Sequence, residues 1–94
     1  SGRTAQIVSE KMNELGRNHQ IICITHLPQI AAMADAHFLI EKAVENKSTV
    51  SRIRRLTDND SVAELARMLG RAKITDPEME RAREMKALAM EKKI

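Results

Sequence analysis

Three kinds of hydrophobic pattern follow one another along this chain, and together they predict an order of elements. In RTAQIVSEKMNELG, Ala5, Val8, Met12 and Leu15 stand at helical spacing with Glu10, Lys11 and Glu14 opposite and Gly16 as the stop, which predicts a surface helix with one buried stripe. After the polar RNHQ comes IICIT, residues 21–25, a continuous and largely β-branched run without alternation. Such a run predicts a strand covered on both faces in a parallel α/β sheet. Pro28 suits a first helical turn, and PQIAAMAD predicts about two turns with Ile30, Ala31 and Ala34 inward.

From Phe38 onward the period changes to two. Phe38, Ile40, Lys42 and Val44 alternate with Leu39, Glu41 and Ala43, ENKS turns the chain, and TVSRIRRL returns as the second strand of a hairpin. Val50, Ile53 and Leu56 do not alternate cleanly, which predicts a bulge or a frayed end there. The last third is helical. Val62, Leu65, Ala66 and Leu69 fall at i, i+3, i+4 and i+7, Ser61 and Glu64 have capping-box spacing, and Gly70 closes the helix. A final helix starts at Thr75 or Asp76 with Pro77 in its first turn and carries Met79, Ala82, Met85, Leu88 and Ala89 as its stripe. The predicted order is α-β-α-β-β-α-α, in an α/β class. Residues 1–57 form a sheet portion and residues 58–94 two closing helices.

Composition changes this picture in one respect. The chain has 94 residues of which 43% are hydrophobic, yet Phe38 is its one aromatic and six residues are Met. Aromatic side chains usually supply much of a small core's buried area, so the core is expected to be completed by sequence outside this chain. Sixteen Lys and Arg against thirteen Asp and Glu give a net charge of +3 that is spread along the chain; this permits contact with nucleic acid without arguing for it. No run approaches a membrane span, and no leader-like segment is visible. The single Cys23 excludes an internal disulfide and fits a reducing compartment.

Candidate chemistry gathers at the end of IICIT. Ligands of open α/β sheets collect outside the carboxyl ends of the parallel strands, and Thr25 and His26 sit at that edge, with Leu27 held extended by the following proline. A histidine there can aim a donor at an anion. The competing reading is a loop histidine that merely ends a strand. His19 and His37 lack such placement, no ligand spacing joins them to Cys23 or to one another, and no metal site is expected. Cys23 and His26 would face opposite sides of a strand, which argues against a nucleophilic pair. The three glycines, Gly2, Gly16 and Gly70, make no phosphate-binding loop, so this chain alone is not expected to hydrolyse a nucleotide. Arg52, Arg54 and Arg55 form the densest basic cluster. They read either as a phosphate-contacting strip or, more commonly, as a charged edge strand protected from aggregation.

SGRTAQIVSEKMNELGRNHQIICITHLPQIAAMAD, followed by HFLIEK and SVAELARMLG, resembles the carboxyl-terminal end of the RecN family, bacterial DNA-repair ATPases built like the SMC proteins. The most specific piece is ITHLPQIAAMAD. The resemblance implies the carboxyl-terminal portion of a P-loop ABC/SMC-type ATPase head, incomplete on its own. It implies that Ser1 and Gly2 are the tail of the D-loop and that His26 is the switch histidine that meets the γ-phosphate, with Thr25 as its neighbour. It also implies that the Walker B acidic pair lies just upstream, so that ATP and Mg2+ belong to the complete protein and neither is expected to bind this segment tightly.

The partners implied are the P-loop part of the head, a second head in an ATP-dependent dimer, and DNA through the full-length protein. The compartment implied is the bacterial cytoplasm, at the nucleoid. The isolated chain is expected to self-associate to cover its open sheet edge. The alternative is a small non-enzymatic α/β module that binds nucleic acid or a protein through Arg52, Arg54 and Arg55.

Overall fold

A computed structural model describes residues 2–70 and 74–93. Six elements follow in the order α1 (Gly2–Gly16), α2 (Pro28–Ala32), β1 (Phe38–Glu45), β2 (Ser48–Arg55), α3 (Asp58–Leu69) and α4 (Asp76–Lys92). The sheet has two antiparallel strands.

The expected strand at 21–25 is absent from this list. Residues 20–25 run without regular structure, and Ile22 and Ile24 are 85% and 86% exposed. The physical reason is that a parallel strand needs a neighbour hydrogen-bonded at its edge and cover on both faces. The only strands among the described residues pair with each other. The order is therefore α-α-β-β-α-α, and the one sheet is a hairpin.

The hairpin is regular throughout. Partners run without interruption from Phe38↔Arg55 through Ile40↔Ile53 to Glu45↔Ser48, so the expected bulge is not present. Asn46 and Lys47 both take positive φ, 48° and 67°. Two consecutive left-handed residues make the tight turn whose twist matches that of the paired strands. Leu56, just past β2, is buried, and its N–H donates to the His37 carbonyl at 2.8 Å, closing the hairpin root.

The core lies between α2, α3 and α4. Leu65 and Ala66 of α3, Ala82 and Ala89 of α4, and Ala31, Ala32 and Met33 at α2 are buried, with Val62, Met68, Leu69, Met79 and Met85 packed around them. Leu65 is the largest side chain buried completely. Alanine at the facing positions lets helix axes approach closely but contributes little area per residue. The stripe expected on α3 is the one observed. On α4 the expected stripe holds at Ala82 and Ala89, while Leu88 turns outward.

Three local expectations are corrected. In α1 the buried residues are Ala5 and Ser9, whereas Val8 and Leu15 are exposed. The packing face therefore runs 5, 9, 12, with Ser9 Oγ donating back to the Gln6 carbonyl at 2.7 Å. The short helix α2 ends at Ala32, with Ala31, Ala32 and Met33 buried and Ile30 and Ala34 half-buried. The start of α3 lies at Thr57, whose hydroxyl accepts the Asp60 N–H at 3.1 Å; Ser61 is inside the helix and is 2% exposed. Thr57 takes the cap because it is the first residue with free amides ahead of it, and Asp58 and Asp60 then favour the positive end of the helix. At α4 the Glu78 carboxylate accepts the Thr75 N–H at 2.9 Å, as the capping pattern requires.

Candidate functional site

His26 lies in the bend between the irregular run 20–25 and α2. Its side chain is exposed and has no hydrogen-bond partner among the described residues. Two local devices shape the bend. Thr25 Oγ1 accepts the Leu27 N–H at 3.0 Å, a side-chain turn of the kind threonine makes two residues ahead. Leu27 is extended at φ −99° and ψ 118°, as a residue before proline must be, and Pro28 occupies the first turn of α2. The turn that carries His26 is thus anchored on both sides while the imidazole stays open to solvent.

The structure brings Gly2 to the same place. A Cβ on Gly2 would lie 3.2 Å from Nε2 of Gln29 in α2, so the start of α1 abuts the helix that follows the histidine. Ser1 falls outside the described residues. Among the described residues no group of three or more His, Cys, Asp or Glu side chains could hold a metal ion. Cys23 is exposed.

The arginine strip is tied to carboxylates. Arg52 pairs with Glu45, and Arg54 reaches Glu41 at 3.0 Å and Asp60 at 3.6 Å. The hydrogen bond to Glu41 is the main cause of the upward shift of the Arg54 pKa. Strand acids placed diagonally across from strand arginines offset the charge that a phosphate backbone would meet, which fits a solvated hairpin better than a nucleic-acid strip.

A polar cluster that sequence reasoning missed joins the hairpin root to α3 and α4. His37 Nδ1 is 2.7 Å from Ser61 Oγ, and Lys86 Nζ donates to the same oxygen at 3.0 Å. Burial lowers the pKa of His37, the Lys86 charge lowers it further, and Glu64 opposes the shift. Burial likewise lowers the pKa of Lys86, against Asp58 and with a contribution from Lys93. Ser61 stands four residues before Leu65 and Lys86 lies between Ala82 and Ala89 on the buried stripe, so spacing places each on a packing face of its helix, but no local signal predicts that they meet.

These features define a class: a mixed helix-and-hairpin segment that holds a histidine turn at the end of an apolar run with no sheet partner. No family model matches the chain. It is 41% identical over 85 residues to the DNA repair protein RecN of Bacillus subtilis, 41% over 86 residues to that of Deinococcus radiodurans, and 34% over 85 residues to that of Vibrio cholerae. The matches cover 90%, 92% and 90% of this chain and 15% of each relative. Over about nine tenths of its length the chain is similar to the carboxyl-terminal segment of RecN proteins. It spans about 15% of the length of the curated relatives it matches. No helix among the described residues is long and apolar enough to cross a membrane.

Proposed function

We propose that this segment delivers His26 to the terminal phosphate of ATP in the nucleotide-hydrolysing head of a protein that acts in recombinational repair of DNA double-strand breaks. The observation that carries the reading is the histidine turn: an imidazole without an internal partner, anchored by the Thr25 hydroxyl and Pro28, at the end of an apolar run whose isoleucines are exposed. The residues suit an anionic phosphate oxygen, since an imidazole N–H can donate to it and the Thr25 hydroxyl, while accepting from Leu27, keeps its own proton to donate. They do not suit Mg2+, and no step here passes through the ion.

In this reading ATP supplies the phosphoryl group, and this chain's own contribution is placement. Run 21–25 enters the parent sheet as a strand beside the P-loop part of the head, which fixes the direction in which His26 emerges. Gly2, with Ser1 the tail of the D-loop, carries the contact between α1 and α2 toward a second head across an ATP-dependent dimer. A preorganised donor at a phosphoryl-transfer site stabilises developing charge without covalent chemistry. DNA is engaged by the full-length protein, in the bacterial cytoplasm at the nucleoid.

The test is His26→Ala in a full-length RecN-family protein carrying this segment, measured as steady-state ATP turnover beside the helical circular dichroism of the variant. Loss of one preorganised donor predicts a fall of about 10²-fold or more in kcat with the helical signal unchanged. Turnover equal to that of the unmodified protein overturns the role given to His26.

A further inference from the structure

We propose that His37, Ser61 and Lys86 form a proton-sensitive latch that fastens the root of the β1–β2 hairpin to α3 and α4. The three residues come from three elements or their edges: His37 directly precedes β1, Ser61 lies in the first half of α3, and Lys86 in the middle of α4. One buried hydroxyl joins them, with His37 Nδ1 at 2.7 Å and Lys86 Nζ at 3.0 Å. The His37 carbonyl holds the Leu56 N–H at 2.8 Å, so the same residue ties both strands at their open end. The hairpin packs chiefly on itself, while α3 packs on α4, which leaves this root as its fastening.

The direction of the hydrogen bonds follows from the donor inventory. An ammonium only donates, so the Ser61 oxygen accepts from Lys86 and its own proton is directed to His37 Nδ1. That assignment needs a neutral imidazole with its proton on Nε2. When His37 takes a second proton, Nδ1 becomes a donor, the Ser61 proton must turn away, and one hydroxyl then accepts from two cations. The two nitrogens cannot stand more than about 6 Å apart, within the reach at which a like charge disfavours ionisation.

The charged groups facing the latch are Asp58 and Glu64 from α3 and Lys86 and Lys93 from the α4 side. Glu64 offsets part of the repulsion at His37 and is itself engaged by Arg67. The hairpin's own nearby cation, Arg54, is paired with Glu41 and Asp60. Because His37 binds its proton less readily when the latch is closed, closure is fully present above the ordinary histidine value near 6.5 and is lost as pH falls below it.

The experiment is amide hydrogen exchange on this chain at pH 7 and pH 5, following the protection factor of the Leu56 amide with intrinsic exchange rates divided out. An open latch with an ordinary histidine limits the effect to about thirtyfold over this interval. The expected loss of protection at pH 5 is at least threefold in the unmodified chain. In His37→Gln, whose amide oxygen accepts the Ser61 proton without titrating, the protection factor is expected to be the same at both pH values. A loss below threefold in the unmodified chain overturns the latch. So does an equal loss in His37→Gln, or a ¹⁵N spectrum at pH 7 that places the His37 proton on Nδ1.

Discussion

Nζ of Lys93 stands 2.5 Å from Oδ1 of Asp35, 58 residues earlier in the chain, and the same ammonium reaches Asn13 Oδ1 at 3.3 Å. The residue that ends α4 thereby ties together α1 and the connection between α2 and β1. Lys92 beside it pairs with Glu10 of α1 at 2.5 Å, and that hydrogen bond is the largest cause of the lowered Glu10 pKa. Two helical turns upstream, Lys86 holds the other end of the same connection through Ser61 and His37. The helix therefore acts as a strap across the segment that leads from the histidine loop to the hairpin.

The two partners of the Lys93–Asp35 contact are unequally covered, with side chains 15% and 89% exposed. Removing the exposed carboxylate costs only a surface pair, so Asp35→Ala is expected to lower unfolding free energy by less than about 1 kcal/mol. Lys93→Ala also removes the bond to Asn13 and the aliphatic stem packed beneath it, and is expected to cost about 1–2 kcal/mol. Urea unfolding of both variants checks the order, and equal costs would refute the strap.

Gly70 has an ordinary φ of −83°, so its side-chain-free Cα is required by a neighbour rather than by handedness. A Cβ there would stand 2.7 Å from Glu78 Oε2 and 3.0 Å from its Cδ, and that carboxylate caps α4 by accepting the Thr75 N–H. Gly70→Ala alone displaces the cap and is expected to destabilise, because a lost cap costs about 0.5–2 kcal/mol while stiffening the unfolded chain returns about 0.4–1 kcal/mol. In a Glu78→Ala background the clash with the carboxylate is gone and the Ala66 carbonyl oxygen, 3.3 Å from the added Cβ, is the tight neighbour that remains, so the cost of Gly70→Ala is expected to be smaller there by about 0.5 kcal/mol or more. A double-mutant cycle by thermal unfolding tests this, and an equal cost in both backgrounds would contradict it.

Much of this arrangement could be read before the structure, and what could not has common physical causes. The helical stripe of α3, the turn at ENKS and the start of α4 were legible because each depends on local spacing or on turn and cap chemistry. Run 21–25 reads from its sequence as a buried strand, yet it joins no ladder among the described residues and its isoleucines are exposed, because pairing is a property of neighbours that the chain's own strands do not supply. Val8 and Leu15 were assigned inward by hydrophobicity alone, although the face of α1 that packs is the one where Ala5 and Ser9 permit close approach. The histidine turn was legible through Pro28 and Thr25. His37, Ser61 and Lys86 were not, because their meeting depends on elements 24 and 25 residues apart in sequence.

Lys86 gives the latch an alkaline counterpart. Burial lowers its pKa, so the folded chain binds this proton less readily than the unfolded chain does, and stability rises with pH through the window that ends near the ordinary lysine value of about 10.5. Lys86→Met lacks that rise. The unfolding free energy of the unmodified chain is therefore expected to gain on that of Lys86→Met as pH increases from 8 toward 10.5, measured by urea titration at each pH. A difference that is constant or moves the other way would show that Lys86 carries no buried charge.

The exposed isoleucines of 21–25 set the behaviour of the chain in isolation. Ile22 and Ile24 are 85% and 86% exposed, Cys23 is exposed too, and the backbone between them joins no ladder among the described residues. An apolar segment outside regular structure gains in water by pairing with a second copy, since its backbone offers N–H and C=O groups to a partner strand and each isoleucine buried contributes about 1.5–3 kcal/mol. Sedimentation equilibrium of the chain is expected to show mass rising with concentration. Ile22→Thr combined with Ile24→Thr removes apolar area while retaining β-branching, and is expected to raise the apparent Kd by at least tenfold, equivalent to about 1.4 kcal/mol. A chain that remains monomeric at the highest concentration reached, or a double variant that associates as strongly as its parent, would place the association surface elsewhere.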